Sequence, residues 1–145
     1  MLQDIAPYTY CNAMRFAPPD PDDLVLACAP GGVFARLESG MLILPTVGQC
    51  TGISRWTYAF SIDRTRYFLP GQLPQVPGFS LISHYRALGP KQTVYACAVG
   101  ESLTRWYTGN RFCGACGKPM IRSTTERALV CPVCGRTVYP KICPA

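Results

Sequence analysis

Residues 56–62 alternate: Trp56, Tyr58, Phe60 and Ile62 are large and apolar, while Thr57, Ala59 and Ser61 between them are small. A period of two predicts a strand with the four large side chains on one face. A turn at Asp63–Thr65 then returns the chain through Arg66–Leu69. Upstream, the apolar runs Leu24–Ala29 and Val33–Leu37 flank Pro30-Gly31-Gly32, which predicts a strand, a tight turn and a returning strand. Met41–Val47 offers a third short strand. Ala17–Asp23 (APPDPDD) cannot hold a ladder or a helix interior and is expected as a solvated acidic loop rather than a metal site. Pro70–Gly78, with three prolines and two glycines, is expected as a loop as well.

From Lys91 to about Gly109 the period changes. Tyr95, Val99, Leu103 and Trp106 recur at i, i+4, i+8 and i+11, the stripe of an amphipathic helix with Gly100 as a weak point. The helix runs into Arg111-Phe112-Cys113 without a Gly/Ser linker, so the last third of the chain is expected to be rigidly joined to it. Beyond it, Pro119–Arg122, Ala128–Val130 and 137–142 read as short strands. The fold class predicted is α+β: a β-rich N-terminal domain of roughly five strands and one main helix over residues 1–109, then a small metal ribbon over 110–145.

The chemistry of the second part lies in four cysteines, Cys113-x2-Cys116-x14-Cys131-x2-Cys134, each pair followed by a glycine, Gly117 and Gly135. A CxxCG step lets both sulfurs of a pair reach one ion, and the glycine tolerates the turn that aims backbone amides at the charged sulfurs. An all-thiolate set with no open position reads as structural zinc, with iron in a rubredoxin-like site as the rival because CPVCG suits both. A red colour would mark iron, whereas zinc is silent. About 35 residues hold too little core to fold alone, so metal binding is expected to supply much of the ribbon's folding free energy.

Composition narrows the setting. The first ten residues lack a basic and then apolar leader, and no apolar run approaches the ~18 residues that span a bilayer, which predicts a cytoplasmic protein with no membrane partner. Cys11, Cys28, Cys50, Cys97 and Cys143 then read as reduced thiols in the core. The formal charge of +6 falls to +4 once four thiolates bind one divalent ion. The basic residues are densest in the last third (Arg105, Arg111, Lys118, Arg122, Arg127, Arg136, Lys141), where a solvated ribbon surface is expected and an anionic partner is the alternative.

The run from Leu103 to Ala145 resembles the helix, zinc ribbon and following strand of Nudix-family NADH pyrophosphatases, also called NAD diphosphatases. It shares with them a helix ending in Trp, RFCxxCGxPM, a Thr-Glu pair before the second knuckle, CPxCG and YPxIxPA. The resemblance implies a hydrolase that splits NADH or NAD into nicotinamide mononucleotide and AMP and can remove NAD caps from RNA. It also implies a homodimer, and a catalytic domain whose Nudix-box glutamates hold magnesium or manganese. These 145 residues contain no Nudix box, and Glu38, Glu101 and Glu126 are too far apart to build one. The chain is therefore expected to be the non-catalytic N-terminal and ribbon portion of such an enzyme, ending at a domain boundary and hydrolysing nothing by itself.

Residue by residue, the resemblance assigns dinucleotide contacts to Glu126, in the Thr125-Glu126 step, and to Tyr139, before Pro140. It also assigns to Arg86, in YRAL, a reach to the substrate phosphate or ribose. Bland readings stand beside these: Glu126 pairing with Arg127 or Arg122, and Tyr139 packing on the ribbon. The single histidine, His84, has no recognisable nucleophile or carboxylate partner and reads as an ordinary surface or half-buried residue, and Trp106 as core. No phosphate-cradling GxxxxGK or GxGxxG loop occurs. The alternative function is a stand-alone zinc-ribbon module that binds nucleic acid or a protein partner, with a rubredoxin-like electron carrier third.

Overall fold

A computed structural model describes residues 4–140. Eight strands precede the helix: β1 (Tyr10–Cys11), β2 (Leu24–Val25), β3 (Cys28–Ala29), β4 (Gly32–Glu38), β5 (Met41–Ile43), β6 (Trp56–Ile62), β7 (Thr65–Pro70) and β8 (Ser80–Ile82). They make two sheets, one in the order β1-β6-β7-β2 and one in which β4 pairs with β3, β5 and β8. Helix α1 (Lys91–Gly109) buries Val94, Tyr95, Cys97, Val99 and Leu103 against Leu26, Val33, Phe60, Ile62 and Tyr67, which together form the main core. The α+β class holds, with the single long helix at the predicted bounds. Among the described residues no helix is long and apolar enough to cross a membrane.

The alternation in β6 does not survive intact. Tyr58 pairs with Phe68, but after a bulge Phe60 pairs with Tyr67, and adjacent residues of β7 face opposite ways. Tyr58 therefore packs edge-on to Phe68 at 5.5 Å, while Phe60 stacks on Tyr67 at 5.0 Å beneath the helix. The four large side chains do not share one face. The predicted strand 24–29 also breaks in two: Leu24 and Val25 run parallel to β7, and Cys28 and Ala29 turn onto β4 around Pro30-Gly31. The chain switches sheets at Leu26 and Ala27, both buried, which is why one apolar run feeds two sheets and the strand count exceeds five. The third strand stops at Ile43, because Thr46 caps a 3-10 turn over Val47–Gln49.

Two further expectations change. Asp23 is not solvated: Arg66 grips it at 3.1 and 2.5 Å, and the Asp20 amide donates to it at 2.7 Å, so the acidic loop is clamped to β7. Gly100 is not a weak point. A Cβ there would lie 2.9 Å from Leu26 Cδ1, so the missing side chain is what lets α1 press on the sheet-switching segment. Of the remaining thiols, Cys50 and Cys97 are buried and Cys11 and Cys28 half-buried, while Cys143 lies outside the described residues.

Candidate functional site

The helix delivers the chain to a three-stranded ribbon, β9 (Ile121–Arg122), β10 (Leu129–Val130) and β11 (Thr137–Val138), with β10 central. The predicted last strand ends at Val138, and Ile142 lies outside the described residues. The knuckles that close the hairpins match bond for bond. Cys113 N donates to Lys118 O at 2.7 Å and Gly117 N to Cys113 O at 2.9 Å; Cys131 N donates to Arg136 O at 2.8 Å and Gly135 N to Cys131 O at 3.0 Å. Gly117 and Gly135 sit at φ +76° and +79°, the left-handed region that the glycines were expected to supply.

The four Sγ atoms lie within 4.8 Å of one another, with Cys113 to Cys134 at 3.5 Å and Cys116 to Cys131 at 3.4 Å. Zinc–sulfur bonds of about 2.3 Å in a tetrahedron place the sulfurs about 3.8 Å apart, so the set fits one such ion. Electrostatics agree. N–H groups of Cys116 and Ala115 hold the Cys113 thiol below its ordinary value, and those of Cys134 and Val133 bring Cys131 down to about 6. At Cys116 the Lys118 N–H acts the same way, but the neighbouring sulfurs outweigh it and push that thiol up to about 12. Some sulfurs are poised as thiolates and others are held back by their neighbours' charge, a conflict that a divalent cation resolves.

Two arginines fasten the ribbon to the N-terminal sheet. Arg127 is buried, 9% exposed, and donates to the Tyr58 carbonyl at 3.3 Å and to the Ala59 carbonyl. β1 pairs only with Ser61 and Ile62, so this stretch of β6, at the bulge, has no strand on that edge, and Arg127 takes the place of one. Arg122 lies over the Tyr107 ring at 4.4 Å and donates to Thr57 Oγ1. Arg127 is not the solvated cation expected from composition, whereas Arg122 is exposed but held by its partners, and neither pairs with Glu126. Their role had no signal in the sequence, since the groups they hold are backbone carbonyls and a hydroxyl more than 60 positions away.

Glu126 instead accepts a hydrogen bond from Tyr139 Oη at 3.0 Å, and this bond raises the Tyr139 pKa. The ring of Tyr139 is 56% exposed. The structure thus joins two of the three residues assigned to the dinucleotide. The third, Arg86, sits on the 3-10 turn Tyr85–Ala87 ahead of α1 and lines neither the cavity that holds Glu126 nor the one that holds Tyr139. His84 is exposed, as expected. Trp106 is buried, with its indole Nε1 lacking a partner among the described residues.

Two four-residue metal knuckles around a three-stranded sheet define a zinc ribbon. Residues 110–139 match the family model of the NADH pyrophosphatase zinc ribbon domain. The chain is 31% identical over 134 residues to the NAD-capped RNA hydrolase NudC of Deinococcus radiodurans, a match covering 86% of this chain and 47% of that protein. The NAD-capped RNA hydrolase NudC of Stutzerimonas stutzeri is 41% identical over 61 residues, 42% of this chain and 19% of its own. That of Pectobacterium carotovorum subsp. carotovorum is 47% identical over 45 residues, 31% and 17%. The matches thus span about half or less of the length of these relatives. Residues 110–139 thus form a zinc ribbon of the kind found in NADH pyrophosphatases, and the chain is similar over most of its length to part of an NAD-capped RNA hydrolase.

Proposed function

We propose that residues 1–109 and 110–145 form the non-catalytic N-terminal domain and zinc ribbon of a cytoplasmic, homodimeric NAD(H) diphosphatase. In that protein the pyrophosphate of NADH, NAD or an NAD-capped RNA is cleaved to nicotinamide mononucleotide and AMP or its RNA-linked form. The ribbon is structural and contributes Glu126 and Tyr139 to the dinucleotide site. Arg86 adds a contact to phosphate or ribose. Magnesium or manganese belongs to the Nudix glutamates of the family's catalytic domain, not to these residues.

The observation that carries this reading is the Tyr139–Glu126 hydrogen bond. It brings together, across the second knuckle, the two ribbon residues that the resemblance picks out for the substrate. Its chemistry suits a nucleotide. One Glu126 oxygen holds the tyrosine, the other is left to accept from a ribose hydroxyl or a carboxamide, and the exposed ring offers a face on which a base stacks. The test is a titration of the zinc-loaded chain with NADH followed by amide chemical shifts. Saturable shifts centred on Glu126 and Tyr139, lost in Glu126→Gln and weakened in Tyr139→Phe, are expected. Unmoved amides at millimolar NADH would remove the assignment, and magnesium-dependent release of nicotinamide mononucleotide by the pure chain would overturn its non-catalytic role.

A further inference from the structure

The four sulfurs of the ribbon are not equivalent toward solvent. Cys116 and Cys134, the second cysteine of each knuckle, are exposed, whereas Cys113 and Cys131, the first of each, are only 4% and 1% exposed. Each exposed cysteine lies against a buried one of the other knuckle: Cys116 Sγ is 3.4 Å from Cys131 Sγ, and Cys134 Sγ is 3.5 Å from Cys113 Sγ. The set is thus two pairs that bridge the knuckles, each with one member open to a dissolved oxidant and one shielded from it.

The surroundings suit attack at the exposed members. Glu126 is the only acidic residue from 110 to 145, against Arg111, Lys118, Arg122, Arg127, Arg136 and Lys141. Arg136 belongs to the second hairpin, yet its guanidinium lies over the first knuckle, where a Cβ on Gly114 would be 3.3 Å from Nη1. A thiol that coordinates a metal is deprotonated outright, and a partly exposed thiolate in an electropositive setting is the reactive kind of cysteine. The thiols of the larger domain are of the inert kind. Cys50 and Cys97 are buried, Cys11 and Cys28 are half-buried, and burial pushes the Cys28 thiol up to about 12.

We infer that Cys116 and Cys134 are oxidation sites for peroxides, at which the ribbon exchanges its metal for two disulfides across the knuckles, Cys116–Cys131 and Cys113–Cys134. The exposed thiolate attacks one peroxide oxygen, the O–O bond breaks, and a sulfenic acid and hydroxide form. The buried thiolate 3.4 or 3.5 Å away then attacks the sulfenic sulfur, makes the S–S bond and expels a second hydroxide. Each pair gives two electrons to one peroxide, so two peroxides oxidise the set and release one divalent ion, which itself undergoes no redox change when it is zinc. Exchange with a dithiol restores the four thiols, and the change is reversible.

This chemistry belongs to the ribbon alone. Its bearing on function rests on the proposed role of Glu126 and Tyr139, which lie five residues before Cys131 and five after Cys134. The knuckle that oxidation alters is the one across which that pair meets.

The test uses the zinc-loaded chain carrying Cys143→Ser, which removes the one thiol outside the described residues. Hydrogen peroxide is added with a weak chromogenic zinc chelator present. A cyclic 1,3-diketone traps sulfenic acid in one sample, and in a second, without the trap, the linkages are mapped by mass spectrometry. Diketone adducts at Cys116 and Cys134, cross-knuckle linkages and one zinc released per two peroxides are expected, with Cys11, Cys28, Cys50 and Cys97 still reduced. Cys116→His combined with Cys134→His keeps four zinc ligands of the kind structural sites use. With both entry thiolates gone, zinc release should slow about tenfold or more.

Adducts confined to Cys113 and Cys131 would overturn the inference, as would linkages within a knuckle (Cys113–Cys116 and Cys131–Cys134) or zinc retained at millimolar peroxide. Trapping and mapping are read on the native cysteine set, so they decide the matter even if the double-histidine chain fails to load zinc. The NADH shifts at Glu126 and Tyr139 should vanish in the oxidised chain and return with dithiol and zinc. Shifts that persist would cut the link to the dinucleotide pair, whereas shifts absent from the reduced chain as well would count against the proposed function and leave the oxidation standing.

Discussion

Arg127→Ala probes what holds the ribbon in place. In the native chain the guanidinium occupies the uncovered edge of β6 and donates to two carbonyls, those of Tyr58 and Ala59, which the bulge leaves without a strand partner. Each hydrogen bond from a charged donor stabilises by about 1.5–3 kcal/mol. Truncation loses two of these and strands two carbonyls in a junction where Ala128 and Leu129 are also buried. Against this stands the relief of a buried cation, whose desolvation cancels a good part of the gross gain. The balance is a loss of about 2–3 kcal/mol, or roughly 8 °C in melting temperature for a chain of this size.

The assay is thermal and urea unfolding of the zinc-loaded protein, with Arg127→Met as a second variant. Methionine restores the apolar stem but neither hydrogen bond, so it should recover less than half of the loss. A change within about 0.5 kcal/mol of zero for Arg127→Ala, the range of an ordinary surface substitution, would refute the claim that this residue stands in for a missing strand. Full recovery by methionine would show that packing, not hydrogen bonding, fixes the ribbon.

Gly100→Ala should destabilise the chain by about 1 kcal/mol although alanine favours helix by about as much, because the new Cβ would meet Leu26 at 2.9 and 3.0 Å; a stabilised variant in urea titration would show that the helix has room to shift. Chelating the zinc should unfold the ribbon but spare the larger domain. Hydrogen exchange should show the amides of Cys113, Gly117, Cys131 and Gly135 losing protection while those of the β6–β7 ladder keep theirs. Equal loss at both would mean that the two parts fold as one cooperative unit.

The elements legible in the sequence were those whose signal is local. The cysteine pairs with their glycines specify a knuckle within five residues, and the Tyr95, Val99, Leu103 and Trp106 stripe specifies its helix without reference to any partner. The elements read differently depend on distant groups. The β6 bulge is invisible to periodicity, because both Tyr58 and Phe60 are buried, on opposite faces, and an aromatic residue suits either. Asp23 looked solvated because its partner Arg66 lies 43 positions away on another element. Gly100 looked like a helix defect because Leu26, the group that needs its bare backbone, is 74 positions upstream. Arg127 looked like surface charge for the same reason, its carbonyl partners lying on β6.

The placing of Arg122 and Arg127 bears on function more than on stability. Glu126 lies between them, and the intervening turn is tied by Ser123, whose Oγ accepts from the Thr125 and Glu126 amides at 3.2 Å each. Arg122 at one end is stacked on Tyr107 of the helix, and Arg127 at the other is buried in the sheet edge. The carboxylate is thus held from three directions before any substrate arrives, and a site arranged in advance avoids ordering the loop on binding. The zinc knuckles fix β10 and β11, which flank the approach of Tyr139 to Glu126, so metal site, arginine anchors and the pair proposed to hold the dinucleotide are tied together. On that reasoning Arg127→Ala should weaken NADH binding as well as the fold. Glu126→Gln, which leaves both anchors in place, should weaken NADH binding with the melting temperature unchanged, and a Glu126→Gln variant that lost stability like Arg127→Ala would show that the carboxylate is part of the scaffold and not a group kept for substrate.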